Sequence, residues 1–144
     1  MNTISAHSII AATLTFFALL APAPASADVQ VRIDKRTQTM DVWVNGEHRH
    51  SWPVSTGRGG YATPGGNYRP QRLAPRHYSP KYNNAPMHNA IFFNRGYAIH
   101  ATTEVANLGR PASHGCVRLL PSHARELYGL VQAYGARNTR ISVR

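Results

Sequence analysis

The only cysteine of the chain, Cys116, lies in the motif Ser-His-Gly-Cys-Val-Arg at residues 113–118. A histidine, His100, ends an apolar run 16 residues before it. A cysteine attacks a carbonyl carbon as the thiolate, and a free thiol has a pKa of about 8.5, so the reaction requires a base near neutral pH. Imidazole is suited to that task because its ordinary pKa is about 6.5. A thiol with histidines and a glycine-containing turn therefore indicates nucleophilic acyl transfer.

Two histidines, His100 and His114, could act as the base. His114 is two residues from Cys116 in a turned or extended segment, where the two side chains need not meet. His100 comes from a separate predicted strand and can approach the sulfur face-on. We therefore predict that His100 is the proton donor and acceptor.

Attack on the carbonyl creates an oxyanion, which preorganised backbone N–H groups stabilise. The candidate donors are the N–H groups of Gly115 and Cys116, with His114 as a further one. Arg118 could hold a substrate carboxylate, since a guanidinium grips one through two hydrogen bonds, or it could form a structural salt bridge. Ser113 could hydrogen-bond within the turn or to the base.

The eight histidines of the chain raise the alternative of a metal site. His48 and His50 are two apart on a predicted strand and would face the same side, but no acidic or cysteine ligand lies at a suitable spacing. Cys116 could join His100 and His114 as a zinc site, although the glycine-containing turn suits acyl transfer at least as well. We therefore predict no metal and no cofactor.

Alternation of apolar and polar residues predicts a mostly β domain. Asn45-Gly46 predicts a tight hairpin, because both central residues of a type I′ turn need a positive φ. Residues 73–87, which hold three prolines, are predicted to form a long surface loop. Strands are predicted at residues 29–34, 40–44, 47–54, 67–72, 90–93, 97–100 and 139–143.

One helix is predicted, over residues 121–134. Pro121 suits its first turn and Gly135 suits the position after its last turn. The chain is therefore expected to fold as a β-sandwich or a partly open barrel with this helix packed on it. The apolar positions that recur at helical spacing are Leu120, Ala124, Leu127, Tyr128, Val131 and Tyr134.

The first 27 residues differ in character from the rest of the chain. Residues 9–20 are almost wholly apolar, and a segment rich in alanine and proline follows, ending in Ala25-Ser26-Ala27. So short an apolar run with small residues at its end is typical of a secretory signal peptide and is too short for a membrane-spanning helix. We predict cleavage after Ala27, no transmembrane segment, and one mature domain over residues 28–144.

The composition fits an exported protein that acts on envelope material. Lys and Arg number 16, Asp and Glu number 6, and the net charge is +10. A basic exported protein meets anionic envelope polymers or lipid headgroups before it meets nucleic acid, so no nucleic-acid partner is expected. One cysteine excludes an intramolecular disulfide framework, and a lone thiol outside the cytoplasm suggests use rather than packing.

The region from His100 to Arg118 resembles the signature of the L,D-transpeptidase (YkuD-type) family, which has a histidine, a spacer and then Ser/Thr-His-Gly-Cys. Two weaker family features precede it in the right order, Ser-Thr-Gly at residues 55–57 and Thr-Pro-Gly at residues 63–65. The resemblance implies that Cys116 is the nucleophile and that His100 is the proton donor and acceptor. It agrees with the fold expected from the sequence.

The resemblance also implies supporting roles. The backbone carbonyl just after the catalytic histidine, here that of Ala101, orients the imidazole by accepting its other N–H. Many relatives have Gly or Ser at this position, but every residue supplies a carbonyl. The loop at residues 73–87 would border the substrate cleft. The candidate substrate contacts are Ser113, Arg118, Tyr82 and Met87.

The activity that the resemblance implies is peptidoglycan L,D-transpeptidation in the periplasm or cell envelope. Cys116 would attack the carbonyl of the third residue of a tetrapeptide stem and release the terminal D-alanine. An amine of another stem would then take the acyl group and form a 3-3 cross-link. The partners expected are therefore stem peptides, and the protein is expected to be a monomer.

Other functions stay open at this point. The same acyl-enzyme would make an L,D-carboxypeptidase if water accepts the acyl group, or an anchoring enzyme if a protein lysine accepts it. A non-catalytic wall-binding module and a zinc-dependent peptidase are further alternatives.

Overall fold

The computed structural model of the protein describes residues 28–144. The predicted signal peptide, residues 1–27, lies outside the described residues. Within them the chain forms eleven strands and one α-helix, α1, at Pro121–Tyr134. The strands are β1 Val29–Asp34, β2 Thr39–Val44, β3 Glu47–Pro53, β4 Gly66–Tyr68, β5 Arg72–Ala74, β6 Tyr78–Ser79, β7 Ala85–Pro86, β8 Ala90–Asn94, β9 Tyr97–Ala101, β10 Val117–Leu119 and β11 Thr139–Val143.

Most of the strands belong to two open sheets. Sheet A has five strands in the order β3-β2-β1-β11-β4, and sheet B has four in the order β10-β9-β8-β5. β6 and β7 pair only with each other. Along β1, Val29, Val31 and Ile33 are buried whereas Arg32 is exposed. This alternation is the one that the sequence predicts for a half-buried strand.

Two tight turns join antiparallel strands, and the first is the one that the sequence predicts. Asn45 and Gly46 join β2 to β3 with φ values of 52° and 80°, the positive values that a type I′ turn needs. Arg95, with a φ of 50°, lies in the turn that joins β8 to β9. This second hairpin brings His100 into sheet B.

Two predictions for the middle of the chain are wrong. The strand predicted at residues 67–72 is two strands in different sheets, β4 and β5, and Pro70 between them has no N–H to donate to a strand ladder. The loop predicted at residues 73–87 contains the end of β5 and the β6–β7 hairpin. Asn83 and Asn84 close that hairpin with φ values of 56° and 53°, which asparagine tolerates better than most residues.

The apolar faces of the two sheets and of α1 form one core. The helix begins at Pro121 and ends before Gly135, which has a φ of 85°, as the sequence predicts. None of the helices in residues 28–144 combines the length and the apolar character that a bilayer crossing requires. The expected fold class, mostly β with one helix packed on open sheets, is confirmed. The helix residues buried in the core are Ala124, Leu127, Tyr128 and Val131.

Candidate active site

Strands β9 and β10 determine which side chains face the site. They pair in parallel, with His100 opposite Arg118 and Ile99 opposite Val117. Because side chains alternate along a strand, Ile99 and Val117 point into the core, and His100 and Arg118 point to the other face. Cys116 directly precedes β10 and follows the same alternation, so its side chain emerges on the face of His100. The sequence prediction did not include β10.

The imidazole of His100 is buried and has a defined tautomer. Its Nδ1 lies 2.7 Å from the carbonyl oxygen of Ala101. Since a carbonyl can only accept, Nδ1 carries the proton and Nε2 is an acceptor. Burial lowers the pKa of His100 to about 4, and the Arg118 guanidinium acts in the same direction. His100 is therefore neutral near pH 7 and can take up a proton at Nε2.

The thiol of Cys116 is half-buried beside a small apolar cluster. Burial raises the pKa of Cys116, although the Ala98 N–H and the Arg118 guanidinium oppose that effect. The thiol and the His100 imidazole are thus both neutral at rest, and they line the same cavity. The thiolate is expected to form only as its proton moves to a base. The cluster consists of Ala74, Met87, Ala90, Phe92 and Ala98.

The buried hydroxyl of Ser113 organises the turn before Cys116. It donates to the Cys116 carbonyl oxygen at 2.6 Å and accepts from the Gly115 N–H at 3.0 Å. Of the two roles considered for Ser113, the hydrogen bond within the turn is therefore present. The expectation that the Gly115 N–H stabilises the oxyanion is corrected, because the Ser113 hydroxyl already accepts from it. Within residues 28–144 the N–H groups of His114 and Cys116 have no hydrogen-bond partner, so they are the donors that remain.

Thr63 ties this turn to the two motifs upstream. Its hydroxyl donates to the Gly115 carbonyl oxygen at 2.7 Å and accepts from the Gly57 N–H at 2.9 Å. Both glycines are required by space, since a Cβ at Gly57 would lie 1.8 Å from the Tyr61 carbonyl oxygen and one at Gly115 would lie 2.6 Å from the Tyr97 ring. The Ser-Thr-Gly and Thr-Pro-Gly motifs therefore hold the turn that carries the thiol.

Replacing Thr63 with valine, which has nearly the same shape, should reduce the free energy of unfolding by about 1–3 kcal/mol, because the Gly57 N–H and the Gly115 carbonyl lose their shared partner. The activity on stem peptides that the resemblance implies should fall by about tenfold or more as the turn shifts. Thr63→Ser keeps the hydroxyl and should keep most of the activity. Thermal unfolding and D-alanine release measure the two effects, and a fully active Thr63→Val protein would contradict a positioning role.

The ring of His114 is held by three neighbours. It stacks on Tyr82 with 4.5 Å between ring centroids and meets the edge of Tyr61 at 4.7 Å. Its Nε2 accepts a hydrogen bond from Arg58 Nη2 at 2.9 Å. Burial, and then the Arg58 guanidinium, lower the pKa of His114. Because its acceptor nitrogen is occupied, the His114 ring is unsuited to take the proton of Cys116.

Arg118 forms a salt bridge and also lines the cavity. Its Nη1 lies 2.9 Å from Glu104 Oε2. The structural salt bridge considered for Arg118 from the sequence is therefore present. A guanidinium has five N–H donors, and this salt bridge uses only one of them. The remaining donors leave room for a substrate carboxylate beside Cys116 and His100 in the same cavity.

Two cavities meet at Cys116. The first, which we call the histidine cavity, includes His100, Glu104 and Arg118 in its wall. The second, which we call the cationic cavity, has in its wall Arg72, His77, Pro80, Lys81, Phe92, Arg95, Gly96 and Tyr97, none of which lines the first. The residues common to both walls are Ser79, Tyr82, Met87, His114 and Cys116. The predicted substrate contacts Tyr82 and Met87 therefore lie where the two cavities join.

The prediction that His48 and His50 face the same side is wrong. A β-bulge between β2 and β3 places His50 opposite Val42 and His48 opposite Trp43. Directly opposite residues share a face and successive residues alternate, so the two histidines point to opposite faces. Within residues 28–144 no three His, Cys, Asp or Glu side chains are placed to hold a metal ion.

The chain resembles known proteins in both sequence and fold. A family model described as YkuD, L,D-transpeptidase catalytic domain, matches residues 28–143. An L,D-transpeptidase from Stackebrandtia nassauensis is 31% identical, with a TM-score of 0.71 over 81% of this chain and 55% of that one. An L,D-transpeptidase from Mycobacterium smegmatis is 23% identical, with a TM-score of 0.73 over 82% and 59%. L,D-transpeptidase 3 from Mycobacterium tuberculosis, in complex with a faropenem-derived adduct, is 22% identical, with a TM-score of 0.70 over 81% and 60%.

This chain thus spans 55% to 60% of the length of these three structures. The two less identical structures establish a shared fold. A search of curated proteins gave no significant match. Because the family match runs through nearly all of the described residues, the chain belongs to the YkuD family of L,D-transpeptidase catalytic domains.

Proposed function

We propose that the protein is an exported cysteine L,D-transpeptidase that acts on peptidoglycan tetrapeptide stems in the periplasm or cell envelope. The observation that carries the proposal is the placement of Cys116 and His100 in one cavity, with the Ala101 hydrogen bond leaving His100 Nε2 as an acceptor. Family membership supports the reaction class, and the net charge of +10 suits an anionic polymer as the target.

In the acylation step, His100 Nε2 takes the thiol proton of Cys116 as the sulfur attacks the carbonyl of the third residue of the stem. The N–H groups of Cys116 and His114 would stabilise the resulting oxyanion. When the intermediate collapses, the peptide bond breaks and the His100 imidazolium gives its proton to the amine of the departing D-alanine. Arg118 would hold the D-alanine carboxylate until it leaves.

In the second step, an amine from another stem attacks the thioester. His100 accepts a proton from that amine as the new peptide bond forms. The bond between the carbonyl carbon and the sulfur then breaks, and the imidazolium returns the proton to the departing thiolate of Cys116. The presence of two cavities that meet at the sulfur supports transfer between two peptides, since the donor and the acceptor each need space beside it. No ATP is consumed, because the new peptide bond replaces the one that was broken.

Product analysis tests this proposal. The protein should release D-alanine from a purified tetrapeptide stem and, with a second stem present, produce a 3-3 linked dimer that mass spectrometry identifies. Release of D-alanine with only a free tripeptide as product would indicate a carboxypeptidase. If D-alanine is not released under either condition, the proposed function is wrong.

A β-lactam test separates an enzyme from a non-catalytic binding module. The M. tuberculosis structure holds a faropenem-derived adduct, and a thiolate can open such a ring to form a covalent acyl adduct. We expect one adduct per chain after incubation with a penem or carbapenem, located at Cys116 by peptide mapping. A binding module without an active thiol would show none.

A further inference from the structure

In the part of the chain that the structure describes, the wall of the cationic cavity contains basic side chains and no acidic ones. Its wall holds Arg72, Lys81 and Arg95 and, among the described residues, no Asp or Glu. None of these three cations forms a salt bridge within residues 28–144. The histidine cavity differs, because Glu104 there neutralises Arg118. Of the two cavities, the cationic cavity is therefore the one whose wall carries arginine and lysine side chains without an acidic partner in the described chain.

Two of these cations are held in place by aromatic rings. The Arg72 guanidinium lies 3.8 Å from the centroid of the Phe92 ring, and the Lys81 ammonium lies 5.3 Å from that of Tyr82. Such contacts use the face of the ring and leave the N–H donors of the cation available. Arg95 is fixed through its backbone, since its N–H donates to the Gln71 side chain at 3.1 Å.

The proton transfers determine which part of the substrate enters each cavity. His100 gives a proton to the departing D-alanine and later takes one from the acceptor amine, so both groups must occupy the histidine cavity in turn. The acyl part of the donor stays on Cys116 throughout and needs different space. The cationic cavity contains Cys116 but not His100, so it is the place for the acyl part.

We infer that the cationic cavity binds the acyl part of the donor peptide and selects an acyl part that carries at least one free carboxylate. Arg72, Lys81 and Arg95 would be the residues that determine this specificity, since guanidinium and ammonium groups both bind carboxylates through charged hydrogen bonds. The inference rests on the proposed function, because it specifies the donor of the same reaction.

The experiment compares two tetrapeptide donors that differ only in the acyl part, which carries free carboxylates in one and primary amides in the other. With the wild-type protein, kcat/KM for D-alanine release should be about tenfold higher for the acid, since partly exposed ion pairs each contribute up to about fivefold. The Arg72→Gln, Arg95→Gln double variant should lose most of this preference, so that the ratio approaches one. Arg125→Gln, which removes an exposed charge on α1 away from the cavity, should retain it.

Ionic strength gives a second readout. Raising the salt concentration should reduce the preference of the wild type, because salt screens charges at the surface. Equal kcat/KM for the two wild-type reactions, or an undiminished preference in the double variant, would overturn the inference and leave the proposed function standing. If neither donor releases D-alanine, the proposed function fails and the inference fails with it.

Discussion

A Cys116→Ala variant should release D-alanine from a tetrapeptide stem at least about 10⁴-fold more slowly than the wild type, because it cannot form the acyl-enzyme. Cys116 is the only cysteine of the chain, so no second thiol can take over. The side chain is half-buried against a small apolar cluster, and alanine should therefore be accommodated with little loss of stability. D-alanine release measured by coupled assay or mass spectrometry gives the result.

Thermal unfolding of the variant is the control for its fold. Labelling with a thiol reagent is the control for the substitution itself, because the reagent should modify the wild type once and the variant not at all. A correctly folded Cys116→Ala protein that still releases D-alanine at the wild-type rate would exclude a covalent mechanism through this sulfur.

Replacing His100 with asparagine should reduce kcat/KM by about 10²–10⁴-fold. Asparagine carries an N–H donor that could serve the Ala101 carbonyl, but it has no basic nitrogen to accept the thiol proton. His114→Asn is the matched comparison, because the His114 ring accepts from Arg58 and is not assigned the proton. Its effect should be clearly smaller. If His114→Asn loses more activity than His100→Asn, the assignment of the base is wrong.

The pH dependence of the acylation rate, measured for the wild type and for His100→Asn, tests independently whether His100 is the base. His100 must be neutral to accept a proton, and its pKa is lowered to about 4. Wild-type acylation should therefore fall with acid only as the pH drops through about 4, whereas an exposed histidine would give a fall near about 6.5. His100→Asn should lack this acid limb, and its residual rate should rise with pH as the thiol of Cys116 ionises. An acid limb near 6.5 in the wild type would contradict the buried, neutral imidazole.

Local signals in the sequence predict much of the fold. Asn45-Gly46 specifies its turn because the backbone there needs positive φ at both residues. The helix follows from apolar residues at helical spacing between Pro121 and Gly135. These features depend on residues close together in the chain, which is why the sequence reveals them.

The elements that the sequence prediction missed depend on distant pairing. β10 has only three residues, and its parallel partner β9 lies beyond a long loop. The alternation of Val117, Arg118 and Leu119 was a signal for it, although a weak one at that length. The bulge in β3 left no pattern that would have revealed it, and it reversed the expected face of His48.

The site was predicted in part. The residue types around Cys116 indicated a thiol and an imidazole, and both lie in one cavity. The contacts that support them join residues far apart in the chain, since Thr63 and Gly115 differ by 52 in residue number and Arg58 and His114 differ by 56. The Thr-Pro-Gly motif pointed to the Thr63 region but not to its hydrogen bonds. For Arg58, one of sixteen basic residues, no signal distinguished it from the rest.

The central claim is that the sulfur of Cys116 carries the acyl group between two substrates. Intact-protein mass spectrometry after brief incubation with a tetrapeptide stem, without an acceptor amine, tests it most directly. The account predicts a mass increase equal to the acyl part of the stem without D-alanine, located on the peptide that contains Cys116 and absent from Cys116→Ala. Release of D-alanine with no such adduct in rapidly quenched samples, or an adduct on another residue, would contradict it.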